Sequence, residues 1–95
     1  PALEAAHIRP FSERPEHDVR NGLLLRSDVH RLFDAGYLTV TPDYRVEASQ
    51  SMRDDFDDGK NYLKLHGSVV NVPEPPDVRP DPDVLAWHNE NKFRG

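Results

Sequence analysis

Short apolar segments separated by turn signals organise the first third of the chain. Residues 2–9 mix apolar and polar positions and stop at Pro10, which predicts a short strand ended by a proline. The segment 11–20 is polar and predicts a loop. Asn21-Gly22 is a turn signal, and the apolar run 23–25 that follows it predicts a second short strand.

A short helix is predicted directly after the second strand. Ser27 is a typical N-cap residue, and Asp28 falls in the first turn, where the helix dipole favours a negative charge. Three apolar residues then recur at helical spacing and share one face: Val29, Leu32 and Phe33. Gly36 follows the last of them and predicts the helix end. The order is therefore strand, loop, strand and helix.

Weaker patterns follow in residues 37–95. Segments 37–40 and 44–46 flank Pro42-Asp43 and predict a second hairpin. Residues 72–83 are rich in proline and predict a crossing segment without regular structure. Residues 83–93 predict a terminal helix capped by Asp83, with Leu85 and Trp87 packed inward. The acid-rich stretch between the hairpin and the crossing segment is interpreted as a solvated surface.

These elements predict an α+β fold in a single domain over residues 1–95. The core is expected at about residues 3–36, and residues 37–95 are expected to wrap around it. Because the chain has only 95 residues, a hydrophobic fraction of 36% and nine prolines, we expect it to bury few apolar side chains. Because the chain opens at Pro1 without a methionine, we expect a fragment of a longer protein.

Composition narrows the chemistry that the chain can perform. Cysteine is absent, which excludes disulfides and thiolate zinc sites, so any metal ligands must be His, Asp, Glu or Asn. No apolar run is long enough to cross a bilayer, and we expect a cytoplasmic location without a membrane partner. The net charge of −5 works against nucleic-acid binding, because lysine and arginine usually supply that affinity. If the partner is a nucleic acid, we expect other domains to provide most of the attraction.

Three polar residues of the compact part suit phosphodiester hydrolysis. His7 ends the first strand, Asn21 begins the second, and His30 lies on the helix. A neutral imidazole can deprotonate water, so His7 is a candidate general base. Asn21 could hold that base through its side-chain carbonyl or fix the loop that aims it. His30 is a candidate ligand for the cation that such a reaction needs.

The same segments resemble a known family. Three segments are similar to those of the HNH endonucleases, the ββα-metal nucleases: Ala5-Ala6-His7-Ile8-Arg9-Pro10, Asn21-Gly22-Leu23-Leu24-Leu25 and His30-Arg31-Leu32-Phe33-Asp34. The separations of 14 residues from His7 to Asn21 and 23 from His7 to His30 match that family. Segments 62–67 and 85–88 resemble the tail of the branch often found as the C-terminal domain of bacterial restriction-type proteins. This resemblance implies a ββα-metal (His-Me finger) core with an added hairpin, a crossing segment and a C-terminal helix.

The resemblance also implies roles for individual residues. His7 would be the general base, Asn21 the structural asparagine and His30 a ligand of a divalent cation. Magnesium or manganese is the expected ion, with zinc and nickel as alternatives. Many family members place an aspartate ligand directly before the base, and this chain has Ala6 there.

Three substitutes for the missing carboxylate stay open. Glu4 lies two residues away on the same side of the strand, and Asp34 lies one helical turn after His30. The third alternative is a site in which His30 is the only protein ligand. The other imidazoles are interpreted as structural or exposed, namely His17, His66 and His88.

The function implied is that of a metal-dependent endonuclease domain cutting DNA in a bacterial restriction or defence protein. Its expected partners are DNA and the other domains of the full-length protein, and a homodimer is an open alternative. Two rival functions stay open: a catalytically inactive nuclease-derived module that binds DNA or protein, and a toxin-type nuclease domain.

Overall fold

The computed structural model describes residues 3–9, 19–52 and 62–95. Its first element is an antiparallel hairpin of β1 (Leu3–His7) and β2 (Gly22–Arg26). Leu3 is paired with Arg26 at one end, and His7 is paired with Gly22 at the other. Both predicted strands are confirmed. The predicted Pro10 stop, the loop 11–18 with His17, and the acid run at 54–58 lie outside the described residues.

Helix α1 (Ser27–Ala35) begins directly where β2 ends. The N-cap is Arg26, with extended backbone and no side-chain capping bond, so the prediction that Ser27 caps this helix was wrong by one residue. The reason is that pairing with Leu3 keeps the chain in strand geometry up to Arg26, which leaves no loop residue before the helix. Asp28 does lie in the first turn, as predicted.

Gly36 ends α1 in the left-handed conformation, with φ of 85°. Its N–H donates to the carbonyl of Phe33 at 3.2 Å, and the N–H of Tyr37 donates to Leu32 at 2.9 Å. These are the two bonds of a Schellman motif, and they satisfy carbonyls that the helix end would leave open. The predicted helix end is confirmed.

The second hairpin pairs β3 (Leu38–Val40) with β4 (Val46–Ala48) around the predicted Pro42-Asp43 turn. The proline-rich stretch contains a single 3-10 turn, Pro76–Val78.

Helix α2 (Pro82–Asn91) is the terminal helix that the sequence predicts, but Asp83 is not its cap. Asp81 caps it by accepting a hydrogen bond from the N–H of Asp83 at 2.9 Å. Pro82 explains the difference, because its fixed φ suits the first helical position and it needs no hydrogen-bond acceptor there. No helix in the described part of the chain combines the length and apolar character that a bilayer crossing requires.

Helix α1 lies between two apolar clusters. The first joins the β1–β2 hairpin to both helices, and its buried members are Ala6, Ile8, Leu23, Leu25, Phe33, Val40, Val84 and Leu85. The second joins α1 to the second hairpin, and its buried members are Leu32, Tyr37, Leu38, Ala48 and Met52. Burial of these side chains is the main force that fixes α1 against β1. The relative positions of the polar residues on β1 and α1 are set by this packing.

Candidate active site

His30 lies between two carboxylates. Its Nδ1 is 2.9 Å from Oε1 of Glu4, and its Nε2 is 3.1 Å from Oδ2 of Asp34. The His30 side chain is 23% exposed, whereas those of Glu4 and Asp34 are 47% and 59% exposed. The structure therefore brings together the three residues that the sequence offers as metal ligands, with the imidazole in the middle.

The local fold explains this arrangement. Side chains alternate along β1, so Glu4 is on the same face as Ala6, which is buried under α1 at 1% exposure. Glu4 lies two residues nearer the start of β1 than Ala6, and its side chain contacts His30 on α1. Asp34 follows His30 by four residues on α1, the spacing at which helical side chains are neighbours.

His7 is exposed at the end of β1, on the opposite face of the strand from Ala6. It nevertheless shares a cavity of about 360 Å³ with His30 and Asp34, while Glu4 does not line that cavity. The two candidate histidines thus face a common space, and Asp34 rather than Glu4 is the carboxylate that faces it with them.

Asn21 is 2% exposed and is bonded to the chain just beyond β1. Its Oδ1 accepts from the N–H of Arg9 and its Nδ2 donates to the carbonyl of Arg9, both at 2.9 Å. The N–H of Ile8 also donates to the carbonyl of Asn21 at 2.9 Å. Of the two uses that the sequence left open for Asn21, this geometry matches fixing the backbone next to His7.

Two residues that were not predicted to belong to the site also line this cavity: His88 on α2 and Lys92 at the end of α2. His88 is only 1% exposed. Its Nε2 donates to the carbonyl of Phe33 at 3.0 Å, and its Nδ1 is 2.7 Å from the hydroxyl of Thr39. Burial is the main cause that lowers the pKa of His88 to about 4. A neutral imidazole protonated on Nε2 suits these partners.

A second, larger cavity of about 630 Å³ lies on the other side of His7. Its lining is mostly apolar and includes Leu23 and Leu24 of β2 and Val72, Pro73 and Pro80 of the proline-rich segment. His7 and Ala5 line both cavities.

The residues around His30 suit a hard divalent cation with few protein ligands. When Glu4 accepts the Nδ1–H, Nε2 faces the Asp34 carboxylate, and a proton or a metal cation between them makes that contact favourable. An imidazole nitrogen and a carboxylate oxygen are both ligand types that divalent cations accept in proteins. No group of three or more His, Asp or Glu side chains among the described residues has metal-binding geometry.

A two-stranded ribbon covered by a helix that carries a histidine is the arrangement of the ββα-metal nuclease class. Comparison with known proteins agrees. The profile of the HNH endonuclease family matches residues 1–41, a segment that contains His7, Asn21 and His30. The resemblance drawn from the sequence is confirmed, since residues 1–41 match the HNH endonuclease family.

Among solved structures, the chain is similar to one described as "Modification dependent TagI restriction endonuclease". The TM-score is 0.67 and the sequence identity is 22%, over 98% of this chain and 28% of the other. The match extends through the second hairpin and α2, so the α+β fold expected from the sequence is confirmed as a whole. The chain spans little more than a quarter of that neighbour. No curated protein matches the chain.

Proposed function

We propose that this chain is a divalent-metal-dependent endonuclease domain that hydrolyses phosphodiester bonds of DNA within a restriction or defence protein. One observation supports this most strongly: His7 on β1 and the His30–Asp34 pair on α1 line a single cavity. A base for water and a site for a cation are the two requirements of metal-assisted phosphodiester hydrolysis.

His30 Nε2 and Asp34 would hold the ion, since the two residues line the cavity and these two groups lie in contact. When bound, a divalent cation neutralises the negative charge that develops on the phosphate and on the leaving oxygen. Glu4 would not bind the ion directly. Its hydrogen bond to Nδ1 of His30 would fix the ring orientation and keep the lone pair on Nε2, where the ion binds.

His7 would accept a proton from the attacking water. Its exposed position at the strand end leaves the ring accessible to solvent and substrate. Asn21 would position His7 indirectly, because it holds the backbone of the next two residues through three hydrogen bonds. A firmly held base needs little reorganisation when the substrate binds.

A plasmid-cleavage assay with magnesium, manganese, nickel and zinc tests this proposal, with metal binding followed by calorimetry. His7→Ala is expected to abolish cleavage while the fold and metal binding stay intact. His30→Ala is expected to lower metal affinity and cleavage together. Equal cleavage by His7→Ala and the parent chain would remove the assignment of the base.

A second candidate function is a nuclease-derived module that binds DNA or a protein but no longer cuts. It is favoured by Ala6 at the position of the usual aspartate ligand and by the net charge of −5. DNA binding without cleavage in any of the four metals would support this candidate. Metal-dependent cleavage that is lost in His7→Ala would exclude it.

A further inference from the structure

We propose that Lys92 binds the phosphate group of the DNA substrate at the cavity that holds His7 and His30. The proposal deepens the nuclease function proposed above and rests on it. Lys92 lies 62 residues after His30 in the chain, outside the segment that matches the family profile, and reaches the cavity only through the docking of α2.

The backbone of Lys92 is held firmly against the end of α1. Its N–H donates to the carbonyl of His88 at 2.9 Å, where it forms the C-cap of α2. Its carbonyl oxygen lies only 2.0 Å from the point that a Cβ on Gly36 would occupy. The N–H of Arg94 donates to the carbonyl of Gly36 at 2.9 Å and fixes the next residues. The side chain of Lys92 therefore starts from a fixed point at the cavity.

The charges around the cavity favour this role. Among the described residues that line it, Lys92 is the permanent cation and Asp34 is the carboxylate. Within the described part of the chain, the ammonium of Lys92 has no ion-pair partner, and the residue is exposed. The positive charge of Lys92 acts on His88, which also lines the cavity. It adds to the effect of burial in lowering the pKa of His88.

A phosphate near His7 would meet this ammonium on one side and the His30–Asp34 pair on the other. In a chain with a net charge of −5, such local cations are needed to offset the repulsion of an anionic substrate. Lysine suits the task because its flexible stem carries three N–H donors that can follow the phosphate oxygens as charge develops on them. No bond to lysine forms or breaks in this role.

The test compares Lys92→Met, which keeps the length of the stem, with Lys92→Arg and with the control Lys64→Met. Lys64 is also exposed but lines neither cavity. We expect Lys92→Met to lower kcat for plasmid cleavage by about 10- to 100-fold, Lys92→Arg to retain most of the activity, and Lys64→Met to match the parent chain. Lys92→Met is also expected to reduce the slope of log affinity for a labelled DNA duplex against log salt by about 0.9, as the loss of one phosphate contact requires.

Binding and cleavage separate the failure of this proposal from the failure of the nuclease function. If the parent chain binds the duplex without cutting it, the nuclease function fails, and the salt slope alone decides the role of Lys92. If Lys92→Met and Lys64→Met have the same salt slope and the same kcat, the proposal that Lys92 contacts the phosphate is wrong. The proposed nuclease function would not be affected by that result. If the parent chain neither binds nor cuts DNA, both proposals are wrong. Urea unfolding of each variant identifies any loss that comes from destabilisation.

Discussion

The imidazole of His88 lies flat against the ring of Phe33, with centroids 3.8 Å apart and planes 7° from parallel. Its Nε2 also donates to the Phe33 carbonyl, so one residue of α2 contacts both the side chain and the backbone of α1. Through Thr39 the same ring contacts β3. His88 therefore joins three elements at the wall of the candidate active site, and it does so as a buried neutral group.

This arrangement predicts a loss of stability in mild acid. The folded pKa of His88 is about 4, below the ordinary value of 6.5, so the unfolded chain binds the proton more readily than the folded chain. The contribution of His88 is complete above pH 6.5 and falls as the pH decreases towards 4, by about 3 kcal/mol in all. Urea unfolding across this range measures the effect.

His88→Gln should flatten that pH dependence, although it lowers stability at neutral pH. The matched control is His66→Gln, which removes an exposed imidazole and leaves His88 in place, so the acid-induced loss should persist. An unchanged pH dependence in His88→Gln would show that other groups cause the loss.

The end of α1 provides a second prediction, on stability. Gly36→Ala adds a Cβ that meets the backbone oxygen of Lys92 at 2.0 Å and forces alanine into a left-handed conformation. We expect a loss of about 2 kcal/mol or more in the free energy of unfolding. Gly67→Ala is the control, since Gly67 has the same φ of 85° but nothing within 4 Å of the added atom. Its loss should be limited to backbone strain, about 1 kcal/mol. Equal losses in the two variants would contradict the close approach of Lys92.

Asn21 provides a third prediction, which concerns both stability and activity. Asn21→Ala leaves the N–H and carbonyl of Arg9 without their side-chain partners and should cost about 2 kcal/mol or more. Cleavage should fall as well, because the backbone after His7 is no longer fixed. Asn71→Ala is the control, since Asn71 is exposed and has no hydrogen bond from its side chain to the described residues. A variant of Asn21 with full stability and full activity would contradict the positioning role.

The elements next to the site could be predicted because their signals are local. The start of β2 after Asn21, the apolar face of α1 and the glycine at its end each depend on residues a few positions apart. The cap of α2 was misplaced because Asp81 and Asp83 are equally good caps, and only the proline between them distinguishes the two.

The contribution of α2 to the site could not be predicted in the same way. His88 and Lys92 reach the cavity through contacts with Phe33 and Gly36, more than fifty residues earlier in the chain. No local pattern encodes that docking, since it depends on how both helices bury their apolar faces together. The spacing along the chain was enough to predict that Glu4 and Asp34 lie near His30. Only the structure shows that Asp34 lines the cavity and Glu4 does not.

That difference leads to the last prediction, which separates the roles of Asp34 and Glu4. Asp34 lines the cavity and contacts Nε2 of His30, whereas Glu4 bonds Nδ1 and does not line the cavity. Asp34→Asn should therefore weaken metal binding by more than about 100-fold, beyond the range typical of outer-shell partners, and cleavage should fall with it. Glu4→Gln keeps a hydrogen-bond acceptor for His30 and should weaken metal binding by about tenfold, as is typical of outer-shell partners. Calorimetric titration of manganese into each variant measures both effects, and urea unfolding checks that the fold is retained. A larger loss in Glu4→Gln than in Asp34→Asn would reverse the assignment and place the ion at Nδ1, on the β1 side of the ring.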